Sequence, residues 1–498
     1  MRVSEYYNLG VNQPSLDFVD VDLCSDSCLF IDPAALNNDK AEWGLRCCRL
    51  IKDYFSHVLS TMHEGDNKKA RALLKELCEP SETKLGFSKN KTNGRGIGEK
   101  LAVKMWHALK ESVAIKSGMI EDIEDTILLI EGISSDMISD IVTNIIREPL
   151  IEYTQTQFDQ FGVELEVRKS KKIWNPQKRI WETKSFRQPV VVIDGREDIL
   201  TLVPKSIVRR EATYSADEYF NKYIVARLQQ EDVADGLVRI LKTTGEQKLP
   251  YKKDVLSRRG IENKKHLKML NYDYTTKYPD LLAQYKKEKN ENPSPALMHQ
   301  DFTDYMDTPP VDYDLLLNRV LETMPGRDNA KYYETAILAL FNALFYPYLA
   351  RPNYQARINN GGKIVDIVYS NVDKDDFFWW LGQHFNAPYV YIECKNYNDD
   401  IGNPEIDQLS GRFGPDKGEF GISVSRRISN RTRINKMCID AMIDNHGYII
   451  ALDDNDLRNL VDAAKIAPLG HRLDLLHEKF DDLVFRNNKQ GMFHNNET

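Results

Sequence analysis

Apolar residues recur at helical spacing through most of residues 40–160, as in Leu45, Cys48, Leu50, Ile51, Tyr54, Phe55 and Val58. They predict a helix-rich N-terminal region with later helices near 99–115, 122–131 and 134–160. Ser134 and Ser135 before Asp136 read as a helix start, because a hydroxyl there can satisfy a free N–H of the first turn. Residues 27–32 read as a short strand stopped by Pro33. Between about 164 and 210 the texture changes to short apolar runs ended by turns, such as Val190-Val191-Val192-Ile193 before Asp194-Gly195 and Leu200–Val203 before Pro204. Helical spacing returns from about 215 to 290. It gives way to Asn290-Glu291-Asn292-Pro293-Ser294-Pro295, extended by Pro309 and Pro310, a polar proline-marked stretch suited to a domain boundary. From about 312 helices and strands alternate, which points to a mixed sheet covered by helices. The polar end, Asn487–Thr498, is expected to fray.

The pattern predicts a multidomain α/β protein. A mainly helical domain spans 1–163, and 164–310 holds a small inserted β-sheet plus helices, a sensor or nucleic-acid-binding part. An α/β domain with a central mixed sheet spans 311–498. A chain of 498 residues, 42% hydrophobic with 24 Tyr and 19 Phe, can bury more than one core. No window approaches the ~18 uninterrupted apolar residues that a membrane helix needs, and Met1-Arg2-Val3-Ser4-Glu5 lacks a signal layout, so a cytoplasmic protein without membrane contact is expected. The seven cysteines form no CxxC pair, which favours reduced thiols. A net charge of −8 argues against a chain that is basic throughout, but leaves room for a basic groove.

The candidate chemistry lies in the last third. Asp328 is expected to cap a helix running to Phe345. On it Glu334 stands three, four and seven residues before Ile337, Leu338 and Phe341, aimed toward the core side. After Gly361-Gly362, the strand Lys363–Tyr369 puts Asp366 on the face of Ile364 and Val368, where a lone charge is costly unless paired or bound to an ion. The strand Tyr389–Lys395 follows, with Glu393 and Lys395 on one face and Val390, Ile392 and Cys394 on the other. Two carboxylates plus the backbone carbonyl of Cys394 are the hard oxygen donors that Mg²⁺ or Mn²⁺ accepts. Lys395 would orient a water or offset charge on phosphorus. The Glu-x-Lys tripeptide alone is weak, since it also occurs at Glu82/Lys84, Glu182/Lys184, Glu246/Lys248 and Glu262/Lys264. Only 366/393/395 joins it to a strand-borne acid and an upstream helix acid. The bland alternative is a buried ion pair between adjacent strands.

This layout resembles the PD-(D/E)xK, or restriction-endonuclease-like, superfamily over roughly residues 325–460, most specifically at Ile364–Asp366 and Tyr391–Lys395. The resemblance implies a magnesium-dependent phosphodiesterase domain in which Asp366 and Glu393 match the metal ligands and Lys395 the catalytic lysine. Glu334 matches the helix acid of many members. The family's proline before the first acid is replaced by Val365. Gln408, on a helix opening at Gly402-Asn403-Pro404-Glu405, falls where related members carry a polar helix residue near the site.

Two basic stretches are candidates for nucleic-acid contact. Arg426 and Arg427, followed by Arg431, Arg433 and Lys436, lie just past a predicted strand and could meet backbone phosphates. Arg168, Lys171, Lys172, Lys178 and Arg179 alternate with Trp174, Trp181 and Phe186, a mixture that suits phosphates and stacked bases. A solvated hairpin with packing aromatics explains them equally. Gly94-Arg95-Gly96-Ile97-Gly98 lacks the strand and the Gly-Lys-Ser/Thr ending of a phosphate loop and reads as a helix entry. The expectation is an endonuclease acting on DNA, in prokaryotic antiviral defence or restriction by analogy with related proteins that carry large extensions. A partner or activator and a homodimer fit this reading. The alternatives are a silent nuclease-fold scaffold or nucleic-acid-binding protein, and a DNA-repair or RNA-directed nuclease.

Overall fold

The computed structural model describes residues 1–37, 39, 41–86, 97–240, 246–358, 362–415, 417–466 and 472–491, with backbone alone for 97–102 and 486–491. Gly94–Gly96 of the glycine-rich stretch lie outside the described residues, as do 492–498 of the expected frayed end. The last helix continues to Gly491, past Asn487.

From Val3 to Phe302 the buried apolar side chains gather into one core. Helix Glu42–His63 buries Cys47, Leu50, Ile51, Tyr54, Phe55 and Val58 along one stripe, while Leu45 lies off it and is exposed. The helical run expected over 134–160 divides into Ser135–Ile145 and Arg147–Phe161. Pro149 explains the break, because proline lacks an N–H and fits only a helix's first turn. The Ser134 hydroxyl caps the first of these by accepting from Met137 N at 3.2 Å. Residues 164–200 form three two-stranded antiparallel ladders, Glu166–Lys169 with Ser185–Gln188, Ile173–Asn175 with Ile180–Glu182, and Val190–Ile193 with Arg196–Ile199. The last turns at Asp194-Gly195, both with positive φ (50° and 74°), as a tight hairpin requires. Trp174, Val191, Leu200 and Leu202 join the same core as the preceding helices, so the packing does not divide near residue 163. The 215–290 stretch is helical as expected, but a short pair, Arg239–Ile240 with Gln247–Lys248, interrupts it.

Beyond Tyr313 a second unit builds its own core around a five-stranded mixed sheet. Its strands are β1 (Leu349–Ile358), β2 (Lys363–Asn371), β3 (Tyr389–Lys395), β4 (Phe420–Ser425) and β5 (Tyr448–Leu452), in that spatial order. β2 runs antiparallel to both β1 and β3, and β3, β4 and β5 run parallel. The helices are α1 (Tyr313–Glu322), α2 (Ala330–Leu344), α3 (Phe377–His384), α4 (Asn403–Ser410), α5 (Arg431–Ile443), α6 (Asp454–Ile466) and α7 (Asp474–Gly491). Val390, Ile392 and Cys394 of β3 pack in the layer that holds α2, α3 and α6, whereas Tyr391 packs with Ile406 and Leu409 of α4 and Ile434 of α5. That alternation follows from the period of two along a strand. Asp328 sits in a short 3-10 turn and does not cap α2; Asn329 occupies that position without a side-chain bond.

The two units meet through buried polar contacts. Arg351 of β1 pairs with Asp39 at 2.6 Å and its backbone N–H donates to Asp17 Oδ1 at 2.9 Å. Asn342 of α2 donates to the Ser15 carbonyl at 2.8 Å.

Candidate active site

β2 and β3 pair from Ile367↔Ile392 to Ser370↔Tyr389. The next pair in that register is Asp366 opposite Glu393. There the backbone ladder ends, and Asp366 Oδ2 instead accepts the Cys394 N–H at 2.8 Å. A side-chain carboxylate has taken over a backbone bond, which fixes Asp366 at the open end of the strand pair. Glu393 is buried, with 2% of its surface exposed.

Five further side chains close around this pair. Lys395 Nζ lies 3.4 Å from Glu393 Oε1 and 3.1 Å from Gln408 Oε1, while Gln408 Nε2 donates to the same Glu393 oxygen at 2.6 Å. Gln408 reaches in from α4, whose entry is fixed by Gly402 N donating to Glu405 Oε2 and by Tyr397 OH donating to Glu405 Oε1. On the other side Glu334 of α2 accepts from Tyr354 OH at 3.0 Å and Gln355 Nε2 at 2.7 Å, and Gln355 also reaches Asp366 Oδ1 at 3.5 Å. Gln355 stands between the Tyr354↔Ile367 and Ala356↔Val365 pairs of β1 and β2, and its left-handed φ of 51° aims the side chain at both acids.

The electrostatics are those of acids crowded together with too little positive charge. Burial pushes Glu393 up to about 7, the neighbouring Asp366 charge adds to this, and Lys395 and Arg412 oppose it. Asp366 is raised by burial, against the Cys394 N–H bond and the same two cations. Glu334 is raised by burial and by Asp366. Glu393 Oε2 is buried without a hydrogen-bond partner. An unpaired carboxylate oxygen in that position costs about 1–3 kcal/mol, or more while charged, unless something supplies a counter-charge.

The expected catalytic residues Asp366, Glu393, Lys395, Glu334 and Gln408 therefore come together in one place. Sequence reasoning missed Tyr354, Gln355 and Arg412. Gln355 carries no local signal, because its role depends on a left-handed backbone conformation; Arg412, just past α4, is a lone arginine whose Nε is buried without a partner. Among the described residues no three His, Cys, Asp or Glu side chains are grouped to hold a metal. The donor set available at this point is thus the two strand carboxylates, with the Cys394 carbonyl as the expected third.

The expected nucleic-acid contacts fare differently. Arg426 donates to the carbonyls of Val320, Leu321 and Thr323 at the end of α1 and pairs with Asp454 at 3.2 Å, so it is spent inside the fold. Arg427 is exposed beside it. Trp174 is 1% exposed, packs edge-on against Tyr54 and Trp181 and donates to Asp53, which leaves no face for a base. Arg168 pairs with Glu166 and Glu197, Lys171 with Glu82, and Lys178 with Glu182. Lys172 and Arg179 remain exposed. The alternation of cations and aromatics is here a hairpin packed on the core and balanced by acids.

Residues 8–215 match a family model described as a domain of unknown function, DUF8370. No curated protein and no solved structure matches the chain.

Proposed function

We propose that the chain is a metal-dependent nuclease that hydrolyses phosphodiester bonds in DNA, with its C-terminal unit a restriction-endonuclease-like domain. The observation that carries this reading is the end of the β2–β3 pair, where Asp366 faces Glu393 and the buried Glu393 Oε2 has no partner. A structural ion pair needs one charge of each sign. Here three acids, Asp366, Glu393 and Glu334, stand against two cations, Lys395 and Arg412, and all three acids are raised in pKa, chiefly by burial. That is a site short of positive charge.

The donor set fits Mg²⁺ or Mn²⁺: Asp366 and Glu393 would hold the ion through hard oxygen atoms, with the Cys394 carbonyl between Glu393 and Lys395 in sequence. Such an ion, when bound, supplies Lewis acidity toward a phosphodiester and lowers the pKa of water. The chain's own residues do the rest. Asp366 is held by a backbone N–H and needs no reorganisation. Lys395, steadied by Glu393 and Gln408, presents an ammonium that orients a water or offsets charge developing on phosphorus. Gln355 holds Glu334 and Asp366 in fixed relation and keeps their repulsion from opening the site. A role in antiviral defence or restriction, and the need for a partner or activator, rest on analogy alone.

The test is incubation of plasmid and linear DNA with the protein and Mg²⁺, with and without EDTA, beside Asp366→Ala and Lys395→Ala. Cutting that requires metal and is lost in both variants supports the reading. Metal-independent cutting, or full activity in either variant, overturns it. If the wild type is silent, Mn²⁺ binding lost in Glu393→Ala keeps the metal site, and no binding favours a silent fold.

A further inference from the structure

β4 brings two serines to the face of the sheet that carries the candidate active site. In the parallel pair of β3 and β4, Glu393 stands directly opposite Ser423, and Lys395 opposite Ser425. Their chain neighbours Ile392, Cys394, Ile422 and Val424 pack in the layer of α2, so Glu393 and Ser423 project together on the other side, beneath α4. Gly421, one strand period before Ser423, gives the same direction: a Cβ built there would meet the Leu409 side chain of α4 at 3.1 Å. The two residues are thus neighbours across one strand spacing, about 4.8 Å.

Both side chains are buried, at 2% and 1% exposure, and each ends in an atom without a hydrogen-bond partner among the described residues: Glu393 Oε2 and Ser423 Oγ. The two atoms are complementary. A serine hydroxyl carries one donor, and an ionised carboxylate only accepts. Ser423 has little else within its surroundings. Its other strand neighbour is Ala451, and Ile406, Leu409 and Ile434, gathered on this face from α4 and α5, are apolar. Ser425 differs, since the carbonyls of Arg427 and Leu452 lie 3.5 Å from its hydroxyl. A buried hydroxyl with nothing to donate to costs stability that an alanine would not, so a serine at 423 calls for an acceptor.

We propose that Ser423 is a positioning residue for Glu393: its hydroxyl, turned toward the adjacent carboxylate, donates to it and fixes it for a divalent cation. The inference rests on the reading of Asp366 and Glu393 as metal ligands. Lys395 and Gln408 already hold Glu393 Oε1, at 3.4 and 2.6 Å, and Ser423 is the neighbour placed to hold the other oxygen. Ser423 lies on the β4 flank of Glu393 and Asp366 on the β2 flank, so the hydroxyl does not compete for the space between the two acids. An oxygen that accepts one hydrogen bond keeps a lone pair for the ion. Groups that hydrogen-bond a metal-holding side chain fix its orientation, and their loss lowers metal affinity by about 10- to 100-fold.

The test is calorimetric titration of Mn²⁺ into the full chain at one fixed alkaline pH, for wild type, Ser423→Ala and Ser423→Thr, with a melting curve of each metal-free protein. Ser423→Ala should weaken Mn²⁺ binding about tenfold or more. Its metal-free form should melt at or above the wild-type temperature, because only an unsatisfied hydroxyl is removed. Ser423→Thr keeps the hydroxyl and should bind close to wild type. Unchanged affinity in Ser423→Ala, with wild type binding, overturns the role of Ser423 and leaves the metal site standing. Weakened binding with a melting temperature that falls in parallel assigns Ser423 to packing and overturns it too, as does a threonine variant as weak as the alanine one. No binding by wild type overturns the metal reading and this inference together.

Discussion

The same tripeptide, Glu-x-Lys, occurs at Glu82 and at Glu393, both glutamates are buried, and their surroundings act in opposite directions. Glu82 lies between Arg147 at 2.9 Å and Lys171 at 2.5 Å. Those cations outweigh burial and bring its carboxyl down to about 2. Glu393 has Asp366 beside it and one oxygen without a partner, and is pushed up to about 7. The first glutamate is a finished structural ion pair with two cations; the second has Lys395 at 3.4 Å set against a neighbouring acid, and one oxygen left without a partner. Burial is common to both, so what separates them is the balance of charge around each: two cations outweigh burial at Glu82, whereas at Glu393 the Asp366 charge adds to burial against Lys395 and Arg412.

The comparison can be broken at several points. The largest effect is expected on catalysis: Asp366→Ala and Lys395→Ala should each lower DNA cleavage by on the order of 10²–10³-fold or more, whereas Glu82→Gln should leave the turnover of folded protein unchanged. A cleavage assay on protein matched for folded fraction decides this. Next comes stability. Glu82→Gln removes one partner of a buried network and should cost about 3–5 kcal/mol at neutral pH, measured by urea unfolding. Glu393→Gln in metal-free protein should instead leave stability unchanged or raise it by about 1–3 kcal/mol.

The pH dependences sharpen the contrast, because their signs differ. Glu82, with its folded pKa lowered, contributes stability that is present above its ordinary value near 4.5 and is lost as pH falls toward about 2. Glu393, with its folded pKa raised, costs nothing below about 4.5 and imposes its full penalty above about 7, so metal-free stability should fall as pH rises through that window. A protonated carboxyl is a poor ligand, so metal affinity should rise over the same interval. Denaturation and metal titration across pH in wild type and each glutamine variant check both slopes. The smallest effect concerns the hairpin: Lys172→Ala and Arg179→Ala, both exposed, should change DNA affinity little, while Trp174→Ala should cost about 3–5 kcal/mol of stability as a core deletion. Filter binding and thermal melts separate the two.

How far the sequence could be read follows from how local each feature is. The strand period placed Glu393 and Lys395 together and Val390, Ile392 and Cys394 against the core, because alternation is a property of one strand. Gln408 was reached only through the family resemblance, which places a polar residue on the helix after the lysine strand. Gln355 was not, since its contact with Glu334 and Asp366 arises from a left-handed backbone conformation on a neighbouring strand. The hairpin misled in part for a similar reason: Glu82 and Glu197, which neutralise Lys171 and Arg168, lie on other segments, while Glu166 and Glu182 stand two and four residues from the cations they pair with and were there to be read. Arg426 looked free for a phosphate because the carbonyls it caps belong to α1, more than a hundred residues earlier.

The central claim is that Asp366 and Glu393 together want a cation. Calorimetric titration of Mn²⁺ above about pH 7, where Glu393 is ionised, tests it most directly on wild type, Glu393→Gln and Glu82→Gln. The account predicts a site in wild type that survives Glu82→Gln and is lost in Glu393→Gln. Binding in Glu393→Gln as tight as in wild type, or none in any of the three, would contradict it.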